Sequence, residues 1–146
     1  MSKNTPIIYI AHPVGSKEPT RTNNIAIAKL WLTMLVECVP SVAFALPWLP
    51  YVEVLDEGKH RERGIRDDIA MLRRCDGIVL VGGVLSPGMK IEKDLARDLH
   101  LPTIDLLELG QLDLERRELA TDPSANLRAL ITQAFIPVTG LTVVGG

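Results

Sequence analysis

The sequence predicts an α/β fold, a single three-layer doubly wound domain of the Rossmann or flavodoxin-like kind. The expected sheet is parallel, with four to five strands and helices on both faces. Three observations carry that expectation. The short continuous apolar run Ile7-Ile8-Tyr9-Ile10-Ala11 reads as a strand buried on both faces, and Gly77-Ile78-Val79-Leu80-Val81 reads as a further strand. They alternate with longer segments of helical periodicity, and such alternation implies parallel strands joined by right-handed crossovers. At 146 residues and 47% hydrophobic content, the chain has enough apolar matter for one core, so 1–146 reads as a single domain.

The elements follow in order. The first run is broken by Pro13 and Gly15 and is expected as a central strand. A polar loop runs to about residue 22. A helix is then predicted over 24–39, where Ile27, Leu30, Trp31, Met34 and Leu35 recur at helical intervals. Pro40 ends it, and 42–46 reads as a second buried strand cut off at Pro47. A loop carrying Trp48 and Tyr51 leads to a charged helix over 57–74, and 77–81 gives the strongest strand signal in the chain. After Gly82 and Gly83, Ser86-Pro87-Gly88 opens a helix to about residue 99, with Ser86 as cap and Pro87 at the first helical position. A short strand over 102–106 and a helix over 123–135 follow, while 107–120 and 138–146 match neither period. The loops after strands, 11–22, 46–56 and 82–88, fall along one sheet edge, where such folds bind ligands.

Charge and cysteine content narrow the function. Lys plus Arg number 16 against 18 Asp plus Glu, a formal net charge of -2, which argues against coating duplex nucleic acid or a membrane surface. Cys38 and Cys75 make neither a disulfide framework nor a zinc site and read as buried thiols of a reducing compartment. The opening apolar run is too short for a signal peptide and none reaches membrane-spanning length, so a soluble cytoplasmic protein is expected. No G-x-G-x-x-G or P-loop pattern is present, which disfavours dinucleotide and ATP binding; no cofactor or metal is expected.

Several residues carry candidate chemistry. At about 100° per residue, Lys90, Lys93, Asp94 and Arg97 share a polar helix face, whereas Glu92 lies apart from them, beside Gly88 and Ala96. It is either a first-turn acid favoured by the helix dipole or a nucleophile or base with room for a ligand. In the preceding helix Asp68 borders the stripe of Ile65, Ile69 and Leu72, so capping or pairing competes with catalysis; Asp67 points to solvent. Asp76 reads as a turn residue at the opposite end of its strand. Tyr9, a phenol within an aliphatic strand, needs a partner if buried. Ser86 and Gly88 stand at a helix N-terminus that suits phosphate as well as a plain cap. His12, Ser16, Lys17 and Arg21 make the first loop polar, and Trp48 and Tyr51 can stack on a planar base or form an apolar lid.

Together these residues resemble the nucleoside 2-deoxyribosyltransferase-like superfamily, which also contains nucleoside 5'-monophosphate N-glycosidases. The resemblance covers about residues 6 to 106. It rests on Ile8-Tyr9-Ile10, Asn24, Asp68-Ile69-Ala70-Met71-Leu72 followed by Cys75-Asp76, and Ser86-Pro87-Gly88 with Glu92. It implies that Glu92 is the nucleophile, Asp68 the acid-base group and Tyr9 the residue positioning Glu92. Substrate contacts would fall on Ser86, Gly88, His12, Asn24 and Trp48. Transferases of the family carry a D-x-G-T-type turn, whereas Ser86-Pro87-Gly88-Met89 is closer to hydrolases whose serine contacts the 5'-phosphate. The first loop, 11–16, departs from the glycine- and arginine-rich loop of those hydrolases. The implied activity is N-glycosidic cleavage of a 2'-deoxynucleoside 5'-monophosphate through a covalent glycosyl-glutamate. Base exchange is the alternative acceptor chemistry, and a noncatalytic nucleotide sensor is the alternative class. An interaction protein is a third reading, drawing on the Trp48 loop and the tail Leu141-Thr142-Val143-Val144. The resemblance further implies a homodimer or larger assembly.

Overall fold

In the computed structural model, which describes residues 4–139, β1 (Ile7–Ala11) runs through the middle of a four-stranded, all-parallel sheet. The other strands are β2 (Ala43–Ala45), β3 (Gly77–Leu80) and β4 (Thr103–Asp105), in the order β2-β1-β3-β4. Tyr9 stands in register between Ala45 and Ile78. The fold is the α/β, Rossmann or flavodoxin-like architecture that the alternating periods predict, with four strands in the parallel sheet.

The two-residue period of a strand sorts the core into two faces. Ile8, Ile10, Val79 and Val81 pack with Leu30, Trp31 and Leu35 of α1 (Thr20–Cys38) and with Ile131 of a later helix, Leu127–Ala134. Tyr9, Ala11, Ile78 and Leu80 face the other way. They meet Trp48 of α2 (Trp48–Val54), Leu72 of α3 (Glu57–Leu72), and Met89 and Ala96 of α4 (Pro87–Asp98). After β4 come a 3-10 turn (Leu107–Leu109), the antiparallel pair β5 (Leu112–Asp113) and β6 (Glu118–Leu119), then α5, which is the Leu127–Ala134 helix, and α6 (Ile136–Thr139).

Four expectations are corrected. The segment expected as a loop over 46–56 contains α2, because Pro50 lies in the first turn, where a missing N–H breaks no intrahelical bond. β2 is an edge strand with Ala43 exposed; its apolar residues pack on the sheet face, where Phe44 meets Phe135 edge-on at 5.4 Å. α1 begins at Thr20, four residues early, since a polar first turn has no apolar period to reveal it. There the Glu18 carboxylate accepts from the Thr22 N–H and hydroxyl at 2.9 and 2.7 Å. The last long helix starts at Leu127, not 123, because Asn126 caps it by accepting from the Ala129 N–H. The tail segment 141–144 lies outside the described residues.

From β1 the chain crosses to β2, and from β3 it crosses to β4 on the opposite side. The loops leaving these two central strands therefore diverge and open a crevice at the carboxyl edge of the sheet. Among the described residues, no helix is long and apolar enough to cross a membrane.

Candidate functional site

A cleft of about 310 Å³ occupies that crevice. His12, Trp48, Asp68, Ser86, Gly88 and Glu92 all line it, so six residues that the sequence singles out from four separate segments meet in one place. Tyr9 joins them from below through Glu92. Its side chain leaves β1 toward α4, and the phenol donates a hydrogen bond to Glu92 Oε2. On α4, Gly88 and Ala96 flank Glu92 one turn away on either side, and the space where a Cβ of Gly88 would stand is open.

Burial dominates the electrostatics. The Glu92 carboxyl is pushed up to about 8 by burial; the Tyr9 hydroxyl pulls it down and Asp68 adds a further upward push. The Asp68 carboxyl is pushed up to about 7 by burial and then by the charge of Asp67. Burial, followed by the charges of Glu92 and Asp68, drives the Tyr9 phenol well above its usual range, so it remains a donor. Among the described residues, Asp68 Oδ1 is the one buried side-chain oxygen or nitrogen without a hydrogen-bond partner. An orphaned buried acceptor is costly in a folded protein and marks a place where a ligand can supply the missing donor. Two acids near neutrality, one held by a phenol and the other uncommitted, can divide the tasks of nucleophile and proton carrier.

The remaining candidates are placed as follows. Ser86 caps α4 by accepting from the Met89 N–H at 3.3 Å, which leaves its hydroxyl hydrogen to donate at the helix N-terminus. Trp48 is buried and its indole donates to the Ile10 carbonyl at 2.8 Å. The Ala43 N–H bonds to the Pro6 carbonyl, so in this register the next-but-one donor, facing Ile10, would be Pro47, which has no N–H. The indole replaces it. Asn24 is not among the cleft-lining residues; its amide donates to the Val14 carbonyl and props the first loop. Asp76 accepts from the Ile7 N–H at the opposite edge of the sheet, as a turn residue there should.

Asp67 does not point to solvent. Its side chain is 15% exposed and accepts from Tyr51 at 2.8 Å, Arg63 at 2.7 Å and Arg66 at 3.0 Å, which ties α2 to α3 and holds the carboxyl down at about 2. Helical angle alone missed this because the Tyr51 hydroxyl comes from another helix. Arg21 lines the cleft and donates to the carbonyls of Gly15 and Val52, clamping the first loop to α2. His60 and Arg61 add basic groups to the α3 wall. Within the described residues no cluster of three or more His, Cys, Asp or Glu is arranged to hold a metal ion.

Fold and cleft thus define an α/β protein with a switch-point crevice and two proton-retaining acids. Residues 6–105 match the family model described as "Domain of unknown function (DUF7768)", and the chain belongs to that family. No protein of curated function matches the chain. The matched segment contains Tyr9, Asp68, Ser86 and Glu92 and ends with β4.

Proposed function

We propose that the protein cleaves the N-glycosidic bond of a nucleoside 5'-monophosphate, with a 2'-deoxy sugar preferred. The observation that carries this reading is the unpartnered Asp68 Oδ1 in the same cleft as a Glu92 held by Tyr9. The resemblance to nucleoside 2-deoxyribosyltransferase-like proteins and their N-glycosidase relatives supports it residue by residue.

In the first step a Glu92 carboxylate oxygen attacks the anomeric carbon as the bond to the base breaks, and protonated Asp68 delivers its proton to the departing base. In the second, the Asp68 carboxylate takes a proton from water. The water oxygen bonds to the anomeric carbon, and the bond to Glu92 breaks with its electron pair returning to the carboxylate. Tyr9 stays protonated throughout and keeps Glu92 aimed. Ser86, at the α4 N-terminus, suits the 5'-phosphate, and this favours hydrolysis of a monophosphate over base exchange between nucleosides. The route uses no metal or cofactor. On this reading the protein acts in the cytoplasm, as a homodimer or larger assembly.

The test is incubation of the pure protein with nucleosides and 5'-monophosphates, with and without a free acceptor base, followed by chromatography. Free base from monophosphates is the expected result. Exchange that depends on the acceptor would replace hydrolysis with transfer, and binding without turnover would replace both with a sensor.

A further inference from the structure

Gln111 lies in β5's approach, beyond the family-matched segment, yet its side chain reaches the cleft wall. Its amide has a fixed orientation. Oε1 receives the Trp31 indole N–H at 3.1 Å and the Leu112 backbone N–H at 2.9 Å, and both partners can only donate. Nε2 therefore faces the other pair, donating to the Gly82 carbonyl at 3.3 Å and to His12 Nε2 at 3.2 Å. All four hydrogen-bonding positions of the amide are filled. His12 is left one arrangement: Nε2 accepts, so the proton sits on Nδ1, which donates to the Pro13 carbonyl at 2.7 Å. The histidine is buried, and Gly82, at φ +106°, lets its own backbone pass alongside; a Cβ there would lie 2.7 Å from His12 Cδ2 and 2.6 Å from Pro13 Cδ.

We infer that Gln111 is a positioning residue of the cleft, which locks His12 as the neutral, Nδ1-protonated tautomer and withdraws it from proton transfer. Both ring nitrogens are committed inside the protein, so His12 offers the cleft an uncharged ring edge. Proton traffic is left to Asp68 and Glu92; the assignment of that traffic rests on the proposed function, while the tautomer lock does not. A proton on Nε2 would set N–H against N–H, and turning the amide would strip the acceptor from Trp31 and Leu112. Burial lowers the proton affinity of His12 in the same sense. The Pro13 carbonyl on its own loop, which accepts from Nδ1, works the other way, and the Gln111 amide meets Nε2; the charged or titratable side chains sharing its cleft are Arg21, Tyr51, Asp56, His60, Arg61, Asp68 and Glu92.

The test is nitrogen-15 NMR of the full chain across pH, which reads both ring nitrogens of His12 without any turnover. The expected wild-type spectrum has a bare Nε2, a protonated Nδ1 and a midpoint below the ordinary histidine value. In Gln111→Glu, a carboxylate keeps the acceptor for Trp31 and Leu112 but sets a negative oxygen against Nε2. His12 should then take up a proton, with its midpoint raised by about 1 pH unit or more. A wild-type proton on Nε2, a wild-type midpoint at or above the ordinary histidine value, or an unmoved midpoint in a folded Gln111→Glu would each overturn the inference. If that variant does not fold, the wild-type tautomer decides alone. Because no substrate is involved, failure of the glycosidase reading leaves this result standing, and the reverse also holds.

Discussion

Around Gln111 the cleft wall leaves no side-chain donor or acceptor of His12, Trp31 or Gln111 idle, whereas around Glu92 the cleft floor buries two acids and provides one phenol between them. The first cluster has a single stable arrangement of its protons. The second has several, separated by little free energy. A saturated network gives rigidity, and an under-satisfied one keeps polar groups in reserve for a ligand at some expense in stability. Both sit at the same sheet edge, so the fold sets a saturated wall against an under-satisfied floor.

The sharpest way to break this contrast is Glu92→Gln. On the proposed function, turnover should fall by about 10⁴-fold or more, measured as base release, because the proposed nucleophile is gone. The same variant should be more stable than wild type at alkaline pH, by on the order of 5 kcal/mol in chemical denaturation. The sign follows from Glu92 being raised from 4.5 to about 8. Between those values the folded state holds a proton that the unfolded state has released, so wild-type stability declines as pH rises through about 8, while the glutamine is indifferent. Below about pH 4.5 the two proteins should converge. A variant that loses activity and stability together would show that Glu92 is structural.

Asp68→Asn should lower turnover by about 10² to 10⁴-fold and change the pH profile. For wild type, kcat/KM should peak between about 7 and about 8, the values to which the two carboxyls are raised. Below that window both are protonated and no nucleophile remains; above it both are ionised and no acid remains. Within it the pair shares one proton, held more by Glu92, so turnover draws on the minority arrangement with that proton on Asp68. The asparagine variant should lose the alkaline decline and keep the acid one. An unchanged bell would remove Asp68 from the mechanism.

On the saturated side, Gln111→Leu should cost about 3 kcal/mol in thermal or chemical unfolding, because the indole N–H and the Leu112 N–H lose their acceptor inside the protein. A loss within experimental error would mean that water replaces the amide and that the wall is not saturated. The smallest expected effect comes from Tyr9→Phe. Without the donor, Glu92 should hold its proton to higher pH, which moves the acid limb of the profile upward and lowers turnover at neutral pH by about tenfold.

Much of this was legible in the chain. One uninterrupted apolar run announced β1 as a central strand, another gave β3 the strongest strand signal, and helical angle separated Glu92 from the charged face of α4, because all depend only on local period. Proline misled over 46–56, since a rule that breaks helix interiors is harmless in a first turn. Asp67 was misread because Tyr51, on a neighbouring helix, turns an outward carboxylate into a tie between helices. Gln111 gave no signal at all. It sits in a stretch without period, and its importance comes from partners on three other segments, at His12, Trp31 and Gly82.

The sequence by itself determined the class of fold, the four strands of the parallel sheet in chain order, and the loop edge at which the cleft opens. Those follow from where apolar residues recur along the chain, and burying them is the main driving force of folding. Only the tertiary structure decided which polar groups are satisfied: that Asp68 keeps an oxygen without a partner, that Tyr9 holds Glu92, and that Gln111 fixes the proton of His12. Hydrogen bonds and desolvation depend on positions in three dimensions within a few ångströms, and the partners here lie up to 99 residues apart in the chain.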